Sequence, residues 1–169
     1  TGCKGAPTPA FPGLNVAEGK KNETFPLRAL VGSLQYIATQ GRPDTCWALQ
    51  KVAQQVSDVT ENSVRAAKRI LQYLSHTLGC KIEYTPEREA GFREEYQNVM
   101  DNAGKAERLP DLVGFTDPDF AGCAVTLRST SGTILYYRGC PVLWSSRRQS
   151  VKALSTCEAE YVGMFDLVK

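Results

Sequence analysis

The stretch that decides the fold is residues 132–161, which read GTILYYRGCPVLWSSRRQSVKALSTCEAEY. Two apolar runs rich in β-branched and aromatic residues, 132–137 and 141–146, stand on either side of a short glycine-containing turn. That pattern predicts a β-hairpin. Ser155 or Thr156 is then placed to cap a helix whose first turn carries an acid, as the helix dipole favours.

A third strand is predicted just upstream, where residues 112–117 read LVGFTD and end at Asp117. Three strands with short connections, followed by a helix, form an antiparallel β-β-β-α unit. The segment before it has helical periodicity, so the chain as a whole is predicted to be of the α+β class.

Three helices are predicted in residues 27–84. The first ends at Gly41 and Pro43, Asp44 is placed to cap the second, and the third begins after Thr60 and ends at Gly79. Their buried stripes recur at helical spacing: Leu27, Leu30, Val31, Leu34 and Ile37; Leu49, Val52, Ala53 and Val56; Val64, Ala67, Ile70, Leu71 and Leu74. Residues 81–84 alternate like a short strand.

The chain divides into four segments by composition and charge. Residues 1–26, with a net charge of +1 and four prolines, predict an extended arm that is not a packed element. Residues 27–84 are helical and carry +3, and residues 111–169 hold the β-β-β-α unit and are neutral. Residues 85–110 carry −2 and are interpreted as a charged linker or insertion, with room for an exposed helix over 89–102.

Composition excludes several classes of protein. A hydrophobic share of 42% and a charged share of 22% are those of a globular chain, and no apolar run is long enough to span a membrane. The six cysteines form no Cys-x-x-Cys pair and only one histidine is present, which argues against a zinc finger. With no secretory signal at the start, we expect an intracellular chain whose thiols are reduced and mostly buried.

Two acids are the candidates for chemistry. Asp117 ends the first predicted strand, and Glu160 lies in the second turn of the final helix. If that helix packs on the sheet, both carboxylates can enter one pocket that suits Mg²⁺, and two such ions about 4 Å apart would promote phosphodiester hydrolysis. The alternative is that both acids are ordinary caps or solvated charges.

Two groups of basic residues are candidates for contacts with nucleic-acid phosphates. They are Arg65, Lys68 and Arg69 on the third helix, and Arg147, Arg148 and Lys152 around the turn between the last strand and the last helix. Either group can equally form a solvated face. Trp47 and Trp144 can stack on bases, but burial in a core is the commoner role of such residues.

Several motifs, in order, resemble the Pol polyproteins of copia-type retrotransposons. They are LVGSLQYIA at 30–38, RPD at 42–44, AAKRILQYL at 66–74, GFTDPDFAG at 114–122, RSTSG at 128–132, WSSRRQ at 144–149 and ALSTCEAEY at 153–161. The first three resemble the region downstream of the polymerase palm, the connection at the end of the reverse transcriptase. The others resemble the opening of the ribonuclease H domain.

The resemblance implies a ribonuclease H-like fold that cleaves the RNA strand of RNA/DNA hybrids with two metal ions. It matches Asp117 to the first catalytic aspartate and Glu160 to the catalytic glutamate. The other two catalytic acids and the later part of the fold would follow Lys169, so the unit is expected to be incomplete. We therefore expect these 169 residues alone to hold Mg²⁺ weakly or not at all and to be catalytically inactive.

The sequence also departs from the family pattern. Phe120 replaces a tryptophan, Cys123 stands where an acid is usual, and Cys157 enters the glutamate motif. Such changes suit a decayed or repurposed copy. The alternative function is therefore a retrotransposon-derived structural subunit of a larger host assembly, paired with protein partners through the open edge of its sheet.

Overall fold

The computed structural model describes residues 4–102, 104, 108–120, 122 and 127–169. The chain folds as two compact units, Thr1–Lys81 and Ile82–Lys169. The elements, in chain order, are α1 (Leu27–Gly41), a 3₁₀ turn (Pro43–Thr45), α2 (Cys46–Ala53), α3 (Glu61–His76), α4 (Pro86–Asn102), β1 (Leu112–Asp119), β2 (Thr130–Tyr137), β3 (Cys140–Arg148) and α5 (Thr156–Val168). This architecture confirms the predicted α+β class.

The first unit is built around the apolar faces of α1, α2 and α3. Most residues of the predicted stripes lie in or against this core, and its centre is fully buried. Two members of the stripes are wrong: Ile37 is 39% exposed and Leu71 is 41% exposed, because in α1 the helix turns Ala38, not Ile37, toward the core. Its largest members are Leu27, Leu34, Leu49, Val52 and Ile70. Burying side chains of this size stabilises the unit by roughly 1.5–3 kcal/mol each relative to leaving them in water.

The helix ends differ in how well the sequence predicted them. Thr60 caps α3 as expected: its hydroxyl accepts a hydrogen bond from the Ser63 amide at 3.1 Å, and it also donates to the carbonyl of Val16 at 2.8 Å. The prediction that Asp44 caps α2 is wrong. Asp44 lies in the 3₁₀ turn, where its carboxylate accepts hydrogen bonds from Arg42 and from the hydroxyl of Tyr73.

The described part of the N-terminal arm, residues 4–26, contains no helix or extended strand, yet it lies packed along α3. Ala6 is completely buried and its amide donates to the carbonyl of Gln72. Farther on, Lys21 forms an isolated bridge with Thr60. The expectation that the arm would not be a packed element is therefore wrong, because backbone groups along the arm find partners on and just before α3.

The second unit is built on an antiparallel sheet in the order β1-β2-β3. β1 and β2 pair without interruption from Leu112 opposite Tyr137 to Asp119 opposite Thr130. Arg138 and Gly139 both have positive φ, so the turn between β2 and β3 has the left-handed backbone that tight hairpins favour. At Gly139 a β-carbon would also lie only 2.8 Å from the β-carbon of Phe92.

The segment interpreted as a linker or insertion, residues 85–110, carries α4, which covers one face of the sheet. Phe92 stacks on Tyr136 with ring centroids 5.1 Å apart, and Tyr96 lies 5.0 Å from Phe115. Arg93 donates to Glu89 at 3.0 Å. The segment packs because its two aromatic residues, Phe92 and Tyr96, meet Tyr136 and Phe115 on the sheet, so it is not a free linker.

Three smaller expectations are wrong. Residues 81–84 form no strand; the hydroxyl of Tyr84 instead donates to the carbonyl of Pro141 at 2.8 Å. Trp47 is 48% exposed and does not lie in the core. The thiols are also less buried than expected: Cys46 and Cys140 are half-buried, Cys80 and Cys157 are exposed, and Cys3 and Cys123 lie outside the described residues.

Within the part of the chain that the structure describes, no helix combines the length and the apolar character that crossing a membrane requires.

Candidate active site and nucleic-acid interface

Asp117 lies near the end of β1, opposite Gly132 of β2, and its side chain is exposed. Successive residues of a strand point to opposite faces of the sheet. Phe115, two residues earlier, contacts α4, so Asp117 belongs to that face by alternation. Thr116 belongs to the other face, which α5 covers.

Glu160 lies in the second turn of α5, also exposed. The helix begins as predicted with Ser155, whose hydroxyl accepts a hydrogen bond from the amide of Glu158 at 3.1 Å. The carboxylate of Glu158 in turn accepts from the amide of Leu154 at 2.6 Å. Of the two acids at the start of the helix, Glu158 therefore caps it and Glu160 is not used in this cap.

α5 lies antiparallel along β1 at close range. A β-carbon on Gly163 would be 2.5 Å from the hydroxyl of Thr116, and one on Gly114 would be 2.5 Å from the side chain of Leu167. Four helical residues therefore correspond to two strand residues, as the rises of about 1.5 Å and 3.3 Å require. Three helical residues before Gly163 correspond to between one and two strand residues after Thr116. Glu160 is therefore level with Asp117 and its neighbour Pro118.

Gln149 fixes this level. Its side chain is 1% exposed, and its amide nitrogen donates to the hydroxyl of Ser131 at 2.9 Å and to the carbonyl of Ala159 at 3.0 Å. Ser131 is the register partner of Pro118 on β1. One buried amide therefore ties the turn of α5 that holds Glu160 to the row of the sheet beside Asp117.

The two acids alone do not complete a metal site. The alignment brings them to the same level of the sheet, but strand alternation assigns Asp117 to the face opposite α5. The described residues contain no group of three or more histidine, cysteine, aspartate or glutamate side chains placed to hold a metal ion. A pair of Mg²⁺ ions needs more oxygen ligands than two carboxylates supply, so no hydrolytic step can be assigned to these residues alone.

The basic residues of the second unit lie at the same end of the sheet as the acids. Arg147 and Arg148 are opposite Ser131 and Thr130, and Thr130 is in turn opposite Asp119. Both arginines are exposed, as is Lys152 in the turn before α5. The end of β3 and the turn after it thus present three cations at the end of the sheet where β1 carries its acids.

The basic residues of α3 are in contact with aromatic residues of the arm. The guanidinium carbons of Arg65 and Arg69 lie 4.6 Å and 4.7 Å from the ring centre of Phe11, and the ammonium of Lys68 lies 5.7 Å from that of Phe25. Arg69 also donates to the carbonyl of Thr8 at 2.9 Å. The predicted basic face is therefore half of a mixed aromatic and cationic surface.

Gln149 and Phe11 are the residues that sequence reasoning missed. Gln149 follows a strand among polar residues, which is typical of a solvated turn. Phe11 lies between alanine and proline in an arm without periodicity. A useful signal in hindsight is an isolated aromatic residue in a chain segment that precedes a basic helix, because such pairs form cation–π contacts.

Comparisons with known proteins give several relatives. The chain is 33% identical to secreted RxLR effector protein 161 of Plasmopara viticola over 142 residues, 84% of this chain and 86% of that protein. It is 33% identical over 156 residues to the retrovirus-related Pol polyprotein from transposon RE1 of Arabidopsis thaliana, and 32% identical over 162 residues to the mitochondrial protein AtMg00810 of the same plant.

The share of each relative that the chain covers differs widely. It spans 9% of the RE1 polyprotein and 58% of AtMg00810, although it aligns with both over more than nine tenths of its own length. No protein-family model matches the chain, and no solved structure matches it. The family that the ordered motifs at 30–38, 114–122 and 153–161 resemble is also that of the Pol polyprotein relatives. The chain belongs to the family of copia-type retrotransposon Pol polyproteins, of which it corresponds to one segment.

Proposed function

We propose that this segment includes the start of a ribonuclease H-like domain whose parent enzyme cleaves the RNA strand of RNA/DNA hybrids. The observation that carries the proposal is the docking of α5 on β1 with Glu160 level with Asp117 and Pro118. The two hydrogen bonds that the Gln149 amide donates to Ser131 and Ala159 support the same alignment. The resemblance matches these two acids to the catalytic aspartate and glutamate. They lie at one level of the sheet, with Asp117 assigned by alternation to the face opposite α5.

In this proposal, the 169-residue chain is catalytically inactive by itself. It supplies two of the four acids that the resemblance implies, and phosphodiester hydrolysis depends on several carboxylates that hold and position the metal ions. In the complete domain, Asp117 and Glu160 would hold part of the Mg²⁺ pair, which activates water and stabilises the leaving oxygen. In this chain the same two residues serve only as exposed carboxylates.

The proposed nucleic-acid contacts are electrostatic. Arg147, Arg148 and Lys152 are exposed cations at the end of the sheet that carries the acids. Contacts of this kind position a phosphate backbone and make binding depend on salt concentration. An affinity for RNA/DNA hybrid that hardly changes between low and moderate salt would count against them.

Hybrid cleavage in the presence of Mg²⁺ tests the catalytic proposal. We expect no cleavage by the 169-residue chain. We expect cleavage when the chain is joined to the segment that follows the aligned region in the RE1 polyprotein, and its loss in the Asp117→Asn and Glu160→Gln variants. Glu158→Gln is the matched control, because that acid serves the helix cap, where glutamine also works.

Two results would overturn the catalytic proposal. Cleavage by the chain alone that Asp117→Asn abolishes would show that two acids suffice. If the joined protein folds but Asp117→Asn and Glu158→Gln behave alike, Asp117 has no special role.

A structural or interaction subunit is the second candidate function. In the described sheet, β1 is an edge strand. The outer side of α5 also exposes apolar side chains at helical spacing, among them Tyr161 at 68% and Phe165 at 61%. Open edges and apolar patches are typical of surfaces that bind protein partners. The relative in Plasmopara viticola, of which this chain covers 86%, is named as a secreted effector and not as a polyprotein.

Copurification from the native source distinguishes the two candidates. The structural role predicts one or more unrelated subunits at fixed stoichiometry, which a Phe165→Arg variant loses. Leu78→Arg is the matched control, because Leu78 is 84% exposed in the first unit. A subunit that both variants retain would not be bound by α5, and recovery of the chain only as part of a longer polyprotein would favour the ribonuclease candidate.

A further inference from the structure

We infer that the cleft between the N-terminal arm and α3 binds single-stranded nucleic acid, with bases stacked on its aromatic and guanidinium surfaces. The cleft holds a space of about 420 Å³. It is lined by Phe11, Asn22, Glu61, Val64, Arg65, Lys68 and Gln72. All of these residues belong to the first unit, so the site is separate from Asp117 and Glu160 in the second.

The first argument is the position of Phe11. Its ring lies against the guanidinium groups of both Arg65 and Arg69, at 4.6 Å and 4.7 Å from their central carbons. Aromatic rings and arginine planes are the two surfaces on which unpaired bases stack, and stacking accepts any base. The contacts of the arm with α3 also hold this surface in place before a ligand arrives, which lowers the entropic cost of binding.

The second argument is charge. Arg65 and Lys68 line the cleft and are exposed, whereas Glu61 is its one acidic side chain. On one helix face, residues three or four positions apart lie about 5–6 Å from each other. Two cations at that spacing can contact phosphates of a backbone while its bases occupy the aromatic surface, as in channels that bind single strands.

The third argument is the polar lining. Asn22 and Gln72 bring side-chain amides to the cleft. The oxygen of Asn22 already accepts hydrogen bonds from the Thr24 hydroxyl and the Phe25 amide, so it is the Asn22 nitrogen and the Gln72 amide that can contact base edges. A duplex hides its base faces in the stack, so it can use the cations of this cleft but not its aromatic surface. The arrangement therefore favours single strands over hybrids. The inference rests on the proposed function only for the general class of ligand, nucleic acid.

Fluorescence anisotropy with a labelled single-stranded oligonucleotide tests the inference, using the full chain and four probes. The other three probes are the same sequence as an RNA/DNA hybrid, a mixed-sequence single-stranded RNA, and heparin as an anion without bases. We expect the single strands to bind more tightly than the hybrid. Phe11→Leu, which keeps an apolar side chain but removes the ring, should weaken single-strand binding at least about fivefold and leave hybrid and heparin binding within about twofold.

Lys68→Gln tests the charge argument without disturbing a buried group. It should lower the slope of log affinity against log salt concentration by about 0.7 for single strands, the value for one phosphate contact. Arg28→Gln is the matched control, because Arg28 is an exposed cation on α1 outside the cleft lining. Thermal unfolding of each variant checks whether a loss of binding arises from unfolding of the chain.

The outcomes separate the two proposals. Equal weakening of all probes by Phe11→Leu, or an effect no larger than that of Arg28→Gln, would overturn the cleft as a base-stacking site. Heparin binding as tight as single-strand binding, and insensitive to Phe11→Leu, would reduce the cleft to a general anion site and overturn the inference. Single-strand binding without hybrid binding would support the cleft and count against the hybrid as the substrate of the proposed function.

Discussion

Replacing Gln149 by leucine tests whether one buried amide sets the position of α5 on the sheet. The change keeps a side chain of similar size but removes the nitrogen that donates to Ser131 and to the carbonyl of Ala159. Each hydrogen bond contributes about 1 kcal/mol net, and a buried acceptor left without its donor costs about 1–3 kcal/mol more. The native oxygen of Gln149 is buried without a partner among the described residues. Leucine has no such oxygen, so the substitution also removes this destabilising contribution and the net loss is smaller. We expect a net loss of about 2 kcal/mol in the free energy of unfolding of the second unit.

Urea unfolding followed by tryptophan fluorescence measures this loss. The Trp47→Phe background leaves Trp144, on β3, as the only tryptophan, so the signal reports the second unit. A double-mutant cycle with Ser131→Ala then isolates the bond between the two side chains, and we expect a coupling energy of about 1 kcal/mol. A loss below about 0.5 kcal/mol, or effects of the two changes that simply add, would show that the amide does not tie α5 to the sheet.

Other predictions concern packing, titration and reactivity. Gly163→Ala should destabilise the second unit by about 1–3 kcal/mol in thermal or urea unfolding, because the new methyl group would overlap the Thr116 hydroxyl. Gly32→Ala in α1 is the control and should stabilise by up to about 1 kcal/mol, since nothing lies within 4 Å of its β-carbon position and alanine favours helix. Burial tends to raise the pKa of Asp44, but hydrogen bonds from Arg42 and Tyr73 outweigh it and hold that pKa below its usual value. The ionised form therefore stabilises the first unit above about pH 4, the usual value for an unfolded chain, and this stabilisation is lost as the pH falls through the native pKa, so Asp44→Asn should flatten acid unfolding curves monitored by Trp47 fluorescence in a Trp144→Phe background. An Asp44→Asn curve with the same acid dependence as the wild type would refute that role. Burial, aided by the charge of Asp44, raises the pKa of the Cys46 thiol to about 11. At pH 8 iodoacetamide should therefore modify the exposed Cys80 and Cys157 well before Cys46, as mass spectrometry of tryptic peptides would show, and equal rates at all three would contradict the assignment.

Local patterns predicted most of the helices and strands. The caps at Thr60 and Ser155 and most of the buried positions of α1 and α3 depend on interactions among residues close in sequence. The three strands were predicted from the local alternation and turn residues, although the strands pair at a distance. The errors arose where a distant partner decides the outcome. Asp44 does not cap α2 because its carboxylate accepts hydrogen bonds from three donors, two on Arg42 and one on the distant Tyr73.

The candidate site shows the same division. The sequence identified Asp117 and Glu160 through ordered motifs, but it contained no measure of their relative position. That position depends on Gly163 passing close to Thr116 and on Gln149 joining α5 to β2. These contacts link residues 10 to about 50 positions apart, beyond the reach of periodicity or capping rules.

The sequence by itself therefore determined the class of fold, the order of the elements and the family, because hydrophobic period, caps and motifs are local properties of the chain. Only the tertiary structure decided that α4 packs on the sheet, that the arm joins α3 in an aromatic and cationic cleft, and that Glu160 lies level with Asp117. The physical reason is that each of these depends on which distant surfaces exclude water from one another. Two aromatic residues, Phe92 and Tyr96, are too few to predict from the sequence that α4 packs on anything. They are enough to pack it once Phe115 and Tyr136 of the sheet lie against them.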